Sequence, residues 1–151
     1  MTELTTTPAR PGDKARWREL FQGYAGFYSV ELTDADYERV WSWIHDPERE
    51  TRCLLARDGE GTPIGLAHYR AYASPLRGTS GFLDDLFVDP ALRGSGAADA
   101  LLAELRRIAA EEGWPAVRWN TAENNYRARG VYDRHATKTV FLTYSMPTAG
   151  S

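Results

Sequence analysis

Three groups of residues in this 151-residue chain have the types and spacing to do chemistry. The first is Arg93-Gly94-Ser95-Gly96-Ala97-Ala98, which follows Leu86-Phe87-Val88-Asp89-Pro90. An apolar strand ends at a proline turn and passes into a small-residue loop that opens an amphipathic helix. The first amides of such a helix lack an intrahelical acceptor and lie at the positive end of its dipole. With no side chain at Gly94 and Gly96, and short ones at Ser95, Ala97 and Ala98, a bulky anion can reach those amides. A phosphate or pyrophosphate is the ligand such a loop suits best. The second group is Asp84-Asp85, inside Phe82-Leu83-Asp84-Asp85-Leu86-Phe87-Val88. Period-two alternation puts Asp84 on the face of Phe82, Leu86 and Val88, and Asp85 on the face of Leu83 and Phe87. Both faces are otherwise apolar, so the strand is predicted to be central. A carboxylate there needs a partner or a function. Desolvation favours the protonated form of a carboxyl group, which suits a general base. The plainer alternative is a strand end entering solvent, with one Asp paired to an Arg. The third is the segment Asn120-Thr121-Ala122-Glu123-Asn124-Asn125-Tyr126-Arg127-Ala128-Arg129-Gly130-Val131-Tyr132-Asp133, in which Tyr132 taken alone reads as an amphipathic core residue on a short helix. A phenol with a pKa of about 10 is protonated at neutral pH yet close to a thiol in acidity.

The elements that must position these groups follow from pattern. Residues 5–10 read as a first strand, ended by Pro11-Gly12. Asp13 is placed to cap a helix through about Phe27, and Thr33 to cap a second that runs to about His45, before Pro47. Strands near 51–57 and 63–72 form a hairpin across Asp58-Gly59-Glu60-Gly61. A strand at 81–88 precedes a helix over 95–112 with Ala98, Leu101, Leu102, Leu105, Ile108 and Ala109 on one face, closed by Gly113. A short strand at 116–120, a helix at about 124–134 and a last strand at 139–146 complete the order β-α-α-β-β-β-α-β-α-β. That order predicts an α/β (α+β) chain, with helices flanking a mixed sheet. No repeat or low-complexity tract divides it, and residues 1–151 read as a single domain.

Two familiar phosphate motifs do not fit. A Walker-type loop needs Lys then Ser or Thr after its last glycine, where this chain has Ala97-Ala98. A dinucleotide fingerprint needs three spaced glycines near the start of a sheet. What fits is Arg-x-x-Gly-x-Ala, formed by Arg93, Gly96 and Ala98. It resembles the coenzyme A loop of the GNAT superfamily of N-acetyltransferases, Gln/Arg-x-x-Gly-x-Gly/Ala after a V-x-P-x-x strand exit. Asn125, Ala128, Val131 and Tyr132 are similar to the same family's Asn-x-x-Ala-x-x-Phe/Val-Tyr motif. The usual Gly-Phe beyond that Tyr is absent, since the chain continues Asp133-Arg134-His135-Ala136-Thr137. The element order matches the family over nearly the whole chain. The resemblance implies a mixed, mostly antiparallel central sheet of six to seven strands flanked by about four helices.

It also implies direct transfer of an acetyl group from acetyl-CoA, the donor cosubstrate, to an amine. Arg93 to Ala98 would hold the pyrophosphate, Asn125 the pantetheine or phosphate part, and the strand edge at Phe87 and Val88 the pantetheine arm. Tyr132 would donate a proton to the departing thiolate. Leu83-Asp84-Asp85-Leu86-Phe87-Val88 further resembles the Leu-Glu-Asp-Phe-Phe-Val strand of diamine and polyamine acetyltransferases. On that pattern Asp84 is the base and Asp85 helps hold the cation, with Tyr28 and Glu31 lining the acceptor site. Arg127, Arg129 and Arg134 are either a solvated face or partners of the 3′-phosphate. The family is often dimeric, and residues 139–144 could pair across a subunit boundary. Two other readings stay open: acetylation of a protein amine such as a histone tail or N-terminus, and a non-catalytic acyl-CoA sensor.

Composition narrows the partners. The net charge of −3 and the absence of long basic runs argue against nucleic acid and suit a cationic small molecule. The single Cys53, beside Leu54-Leu55, is expected to be buried and excludes an internal disulfide framework. His45 and His68 have no metal-ligand spacing, so no metal is expected, and His135 is expected at a helix end or the surface. No apolar run approaches the length of a membrane span and no secretory leader is evident, so the cytoplasm is the expected compartment.

Overall fold

The computed structural model describes residues 3–149. Its sheet has five strands in the order β1 (Thr5–Pro8), β2 (Arg52–Arg57), β3 (Pro63–Ser74), β4 (Gly78–Val88) and β5 (Val117–Arg118). The first four pair antiparallel and β5 lies parallel to β4. Four α-helices cover it: α1 (Lys14–Phe27), α2 (Asp34–His45), α3 (Ala97–Glu112) and α4 (Tyr126–His135). The described residues therefore form a mixed α/β fold with four α-helices, but five strands instead of the expected six to seven. No helix among the described residues is long and apolar enough to cross a membrane.

Side-chain alternation along β2 explains how the sheet is covered on both faces. Leu54 and Ala56 turn to α3, where they join Leu101, Leu102 and Leu105. Cys53 and Leu55 turn the other way, to Trp17, Leu20 and Phe21 of α1 and Tyr37 and Ile44 of α2. Thr33 caps α2 as expected: its hydroxyl accepts from the Asp36 amide at 3.2 Å and its amide donates to the Asp36 carboxylate at 2.8 Å. Asp13 precedes α1 but makes no side-chain cap. Its carboxylate instead accepts from Arg57 at 2.6 and 2.9 Å and from the Arg10 amide at 2.8 Å, in a largely buried pair.

The expected last strand does not form. Residues 139–146 have no ladder partner among the described residues, and a strand without one satisfies none of its ladder amides. Val140, Phe141, Leu142, Tyr144 and Met146 are all exposed, Val140 and Tyr144 at 90 %. The strand that precedes them, β5, is two residues long and forms one edge of the sheet.

The feature that matters for the site is the gap between β4 and β5. The two strands pair only at Gly81 with Val117 and Phe82 with Arg118. Gly81 permits this approach, because a Cβ there would lie 2.7 Å from the Trp114 ring. Beyond Phe82, the β5-facing edge of β4 has no strand beside it.

Candidate active site

At its far end β4 is fixed to α1. Arg16 donates to the Asp89 carboxylate at 2.8 Å and to the Pro63 carbonyl at 2.8 Å. Asp89 also accepts from the Ala91 amide at 3.0 Å, capping the single 3-10 turn Pro90–Leu92. The Arg16 guanidinium holds the Asp89 carboxyl below the usual carboxylate range. From this anchored turn the chain enters the loop with φ of +86° at Gly94 and +89° at Gly96, a left-handed region that side-chain-bearing residues seldom adopt. α3 then starts at Ala97, so its first amides converge with the loop.

A cavity of about 420 Å³ opens over this helix start. Phe87, Val88, Arg93, Gly94, Ser95, Gly96, Ala97, Ala98 and Asn125 all line it, as do Tyr28 and Tyr132. The structure thus gathers the predicted cofactor-binding residues, one predicted acceptor residue and the predicted acid around one space. The loop leaves room for a phosphorylated ligand, because a Cβ on Gly94 would meet nothing within 4 Å. Asn125 has a local duty as well, accepting from the Ala128 amide at 3.4 Å to cap α4. Tyr132 packs edge-on to Trp119, with ring centroids 5.4 Å apart. Burial, with a smaller contribution from nearby Tyr28, pushes its hydroxyl up to about 12. It therefore keeps its proton at neutral pH and is available as a donor.

The two carboxylates differ from expectation. The β3–β4 register pairs His68 with Asp85 and Tyr69 with Leu83, so Asp84 is the extra residue of a bulge. Alternation shifts by one there. Leu83 joins Leu86 and Val88 against α3, and is not on the face of Phe87. Both acids turn toward the α1 side. Asp84 accepts from Arg70 Nε at 3.0 and 3.3 Å, and that guanidinium lies over the Phe82 ring. Asp85 is bound by buried His68. Neither acid lines the cavity. Tyr24, a lining residue, donates its hydroxyl to the Asp84 main-chain carbonyl at 3.5 Å, and burial first and then the nearby Asp85 charge push that hydroxyl up. Glu31 also lies outside the cavity, on the exposed stretch after α1.

Tyr24, Phe27, Trp17 and His68 were not singled out by spacing. Tyr24 and Phe27 lie on α1, which carries no motif of the site, and the Trp17–His68 contact joins residues 51 positions apart. Among the three arginines in doubt, Arg127 and Arg134 line the cavity and Arg129 does not. Arg134 is engaged by Asp99 at 2.9 and 3.0 Å, and His135 Nε2 lies 2.6 Å from the same carboxylate. The His135 contact first, then Arg134, holds the Asp99 carboxyl low. These contacts tie α4 to the first turn of α3. Cys53 is buried at 3 % exposure and burial pushes its thiol up, which leaves it no nucleophilic role.

A glycine-rich loop opening a helix beside a parted strand pair, with a tyrosine in the wall of the same cavity, is an arrangement suited to acyl transfer from a phosphorylated carrier. Residues 17–136 match the acetyltransferase (GNAT) family, and the chain belongs to it. It is an acetyl-CoA-dependent N-acetyltransferase. It is 30 % identical over 136 residues to the D-amino-acid N-acetyltransferase HPA3 of Saccharomyces cerevisiae, covering 89 % of this chain and 84 % of that one. Over 108 residues it is 32 % identical to the aminoglycoside N(6′)-acetyltransferase type 1 of Stenotrophomonas maltophilia, covering 68 % and 65 % of the two chains. Its fold superposes with a TM-score of 0.84 on the aminoglycoside N-acetyltransferase AAC(6′)-Iy in complex with CoA, at 17 % identity and over 98 % and 96 % of the chains.

Proposed function

We propose that this enzyme moves the acetyl group of acetyl-CoA directly to a primary amine of a small, cationic acceptor. The observation that carries the reading is the convergence of the Arg93–Ala98 loop, the free edge of β4 and the proton-holding Tyr132 on one cavity. The loop amides and Arg93 bind the pyrophosphate, and Asn125 helps to seat the pantetheine. The unpaired edge at Phe87 and Val88 bonds the pantetheine arm as an added strand would. A free amide there polarises the thioester carbonyl as the amine approaches. The amine nitrogen forms the new C–N bond and the C–S bond breaks. The thiolate takes the Tyr132 proton, which solvent later replaces.

The amine must also lose a proton. We assign that role to Asp85, directly or through water or the Tyr24 hydroxyl, in place of Asp84, whose charge is matched by Arg70. The Asp85 carboxylate, which no arginine or lysine matches, and Tyr28 in the cavity wall favour a cationic acceptor of the diamine or polyamine kind. The relatives named for D-amino acids and aminoglycosides support a small amine in general. The exposed apolar stretch 139–146 and the unpaired edge of β5 support pairing of two chains through these segments.

Tyr132→Phe tests the acid. Turnover should fall on the order of 100-fold, with coenzyme A affinity unchanged, as expected for loss of a general acid. Full turnover in this variant would overturn the assignment.

A further inference from the structure

Asp85 does not stand alone. His68, 2 % exposed on β3, sits directly across the ladder from it. His68 Nδ1 lies 2.9 Å from Asp85 Oδ2, and His68 Nε2 accepts from Trp17 Nε1 at 2.9 Å. An indole nitrogen can only donate, so Nε2 must present its lone pair. The ring hydrogen is then on Nδ1, and Nδ1 donates to the carboxylate. The tautomer is fixed by hydrogen-bond accounting alone.

The ring is also held by packing. Phe21 meets it edge-on at 4.7 Å and the Trp17 ring lies 6.0 Å away, with Trp17 itself wholly buried. A flip would turn ring carbons toward Trp17 and Asp85 and break both contacts, and the other tautomer would set N–H against N–H at Trp17 and leave Asp85 without its donor. The imidazole orients Asp85 without bringing a full charge to it, unlike the Arg70 guanidinium beside Asp84. Burying a polar trio at this depth costs desolvation that an apolar core would avoid. The trio ends at a carboxylate that keeps 23 % exposure next to Tyr24 of the cavity wall.

We propose that His68, locked in one tautomer by Trp17, is a positioning residue that aims the Asp85 carboxylate at the acceptor amine, an inference that rests on the reading of Asp85 as base.

Three variants test it by steady-state kinetics in both substrates. His68→Leu, which removes the donor, should lower kcat at least tenfold while leaving the KM for acetyl-CoA within about twofold, part of the 10²–10⁴-fold that an aimed base supplies. His68→Asn places an amide N–H near the position of Nδ1 and should recover kcat to within a few-fold, although it leaves the Trp17 N–H unpaired and melts earlier. Activity and stability then move apart, which a purely structural histidine would not produce. Asp85→Asn should lose the whole base contribution. Unchanged kcat in His68→Leu beside an impaired Asp85→Asn overturns the positioning role alone. Full activity in Asp85→Asn overturns the base reading beneath it. Equal loss of kcat in His68→Leu and His68→Asn also overturns the inference, since packing would then be the whole effect. If His68→Leu does not fold, Trp17→Phe carries the same prediction, because it keeps an aromatic ring in the core while removing the N–H that fixes the tautomer, together with part of the ring volume.

Discussion

Burial acts on Tyr132 and Cys53 in the same direction, with opposite consequences for chemistry. The phenol gains a firmly held proton to give, whereas the thiol loses its access to the reactive thiolate. Asp13 shows the reverse shift. The Arg57 guanidinium, outweighing partial burial, holds its carboxyl below the usual range. Arg57 is only 6 % exposed, so Asp13→Asn would strand a buried cation. We expect a loss of about 3–5 kcal/mol, the usual cost of removing one partner from a buried pair. A carboxyl with a lowered folded pKa contributes stability above its unfolded value, about 4, and gives it up as the pH falls through the folded value. Denaturant melts at pH 7 and pH 3 check this: the wild type should lose more stability on acidification than Asp13→Asn. Parallel losses in the two proteins would contradict it.

Elements with strong local signals follow the sequence closely. The capping box at Thr33, the apolar stripe of α3 and the glycine-marked loop before it each depend on neighbours a few residues away. The glycine-marked loop is legible from such signals and Asn125 and Tyr132 from the family resemblance, and the structure brings all of them to the wall of one cavity. Three features escaped for one reason, that each depends on residues distant in sequence. Asp13 has the type of an N-cap but is drawn to Arg57, 44 positions away, which no local pattern announces. The bulge at Asp84 carries no Gly or Pro to mark it, so strict alternation misassigned the faces of Leu83 and Asp84. His68 looked like an isolated histidine because its meaning comes from Trp17 on α1 and Asp85 on β4. The stretch 139–146 has the β-branched and aromatic residues of a strand, yet composition cannot supply the neighbour that a strand must pair with.

At the scale of the whole molecule, that unpaired stretch and the acceptor remain linked to what lies outside the single chain. Exposed apolar residues next to an open sheet edge are a template for pairing. We expect sedimentation equilibrium to give twice the chain mass, and removal of residues 139–151 to give a monomer; a monomeric full-length chain would contradict the pairing. Acceptor choice follows from the acids on the α1 side and the aromatic residues of the cavity wall, which together favour a positively charged amine over an extended peptide. The most direct test is acetyl-CoA turnover, followed by free-thiol release, against spermidine, diamines, amino acids, aminoglycosides and basic peptides. Thiol release with a small cationic amine is the predicted result. Release with basic peptides alone, or with none of the amines despite tight coenzyme A binding, would contradict the account.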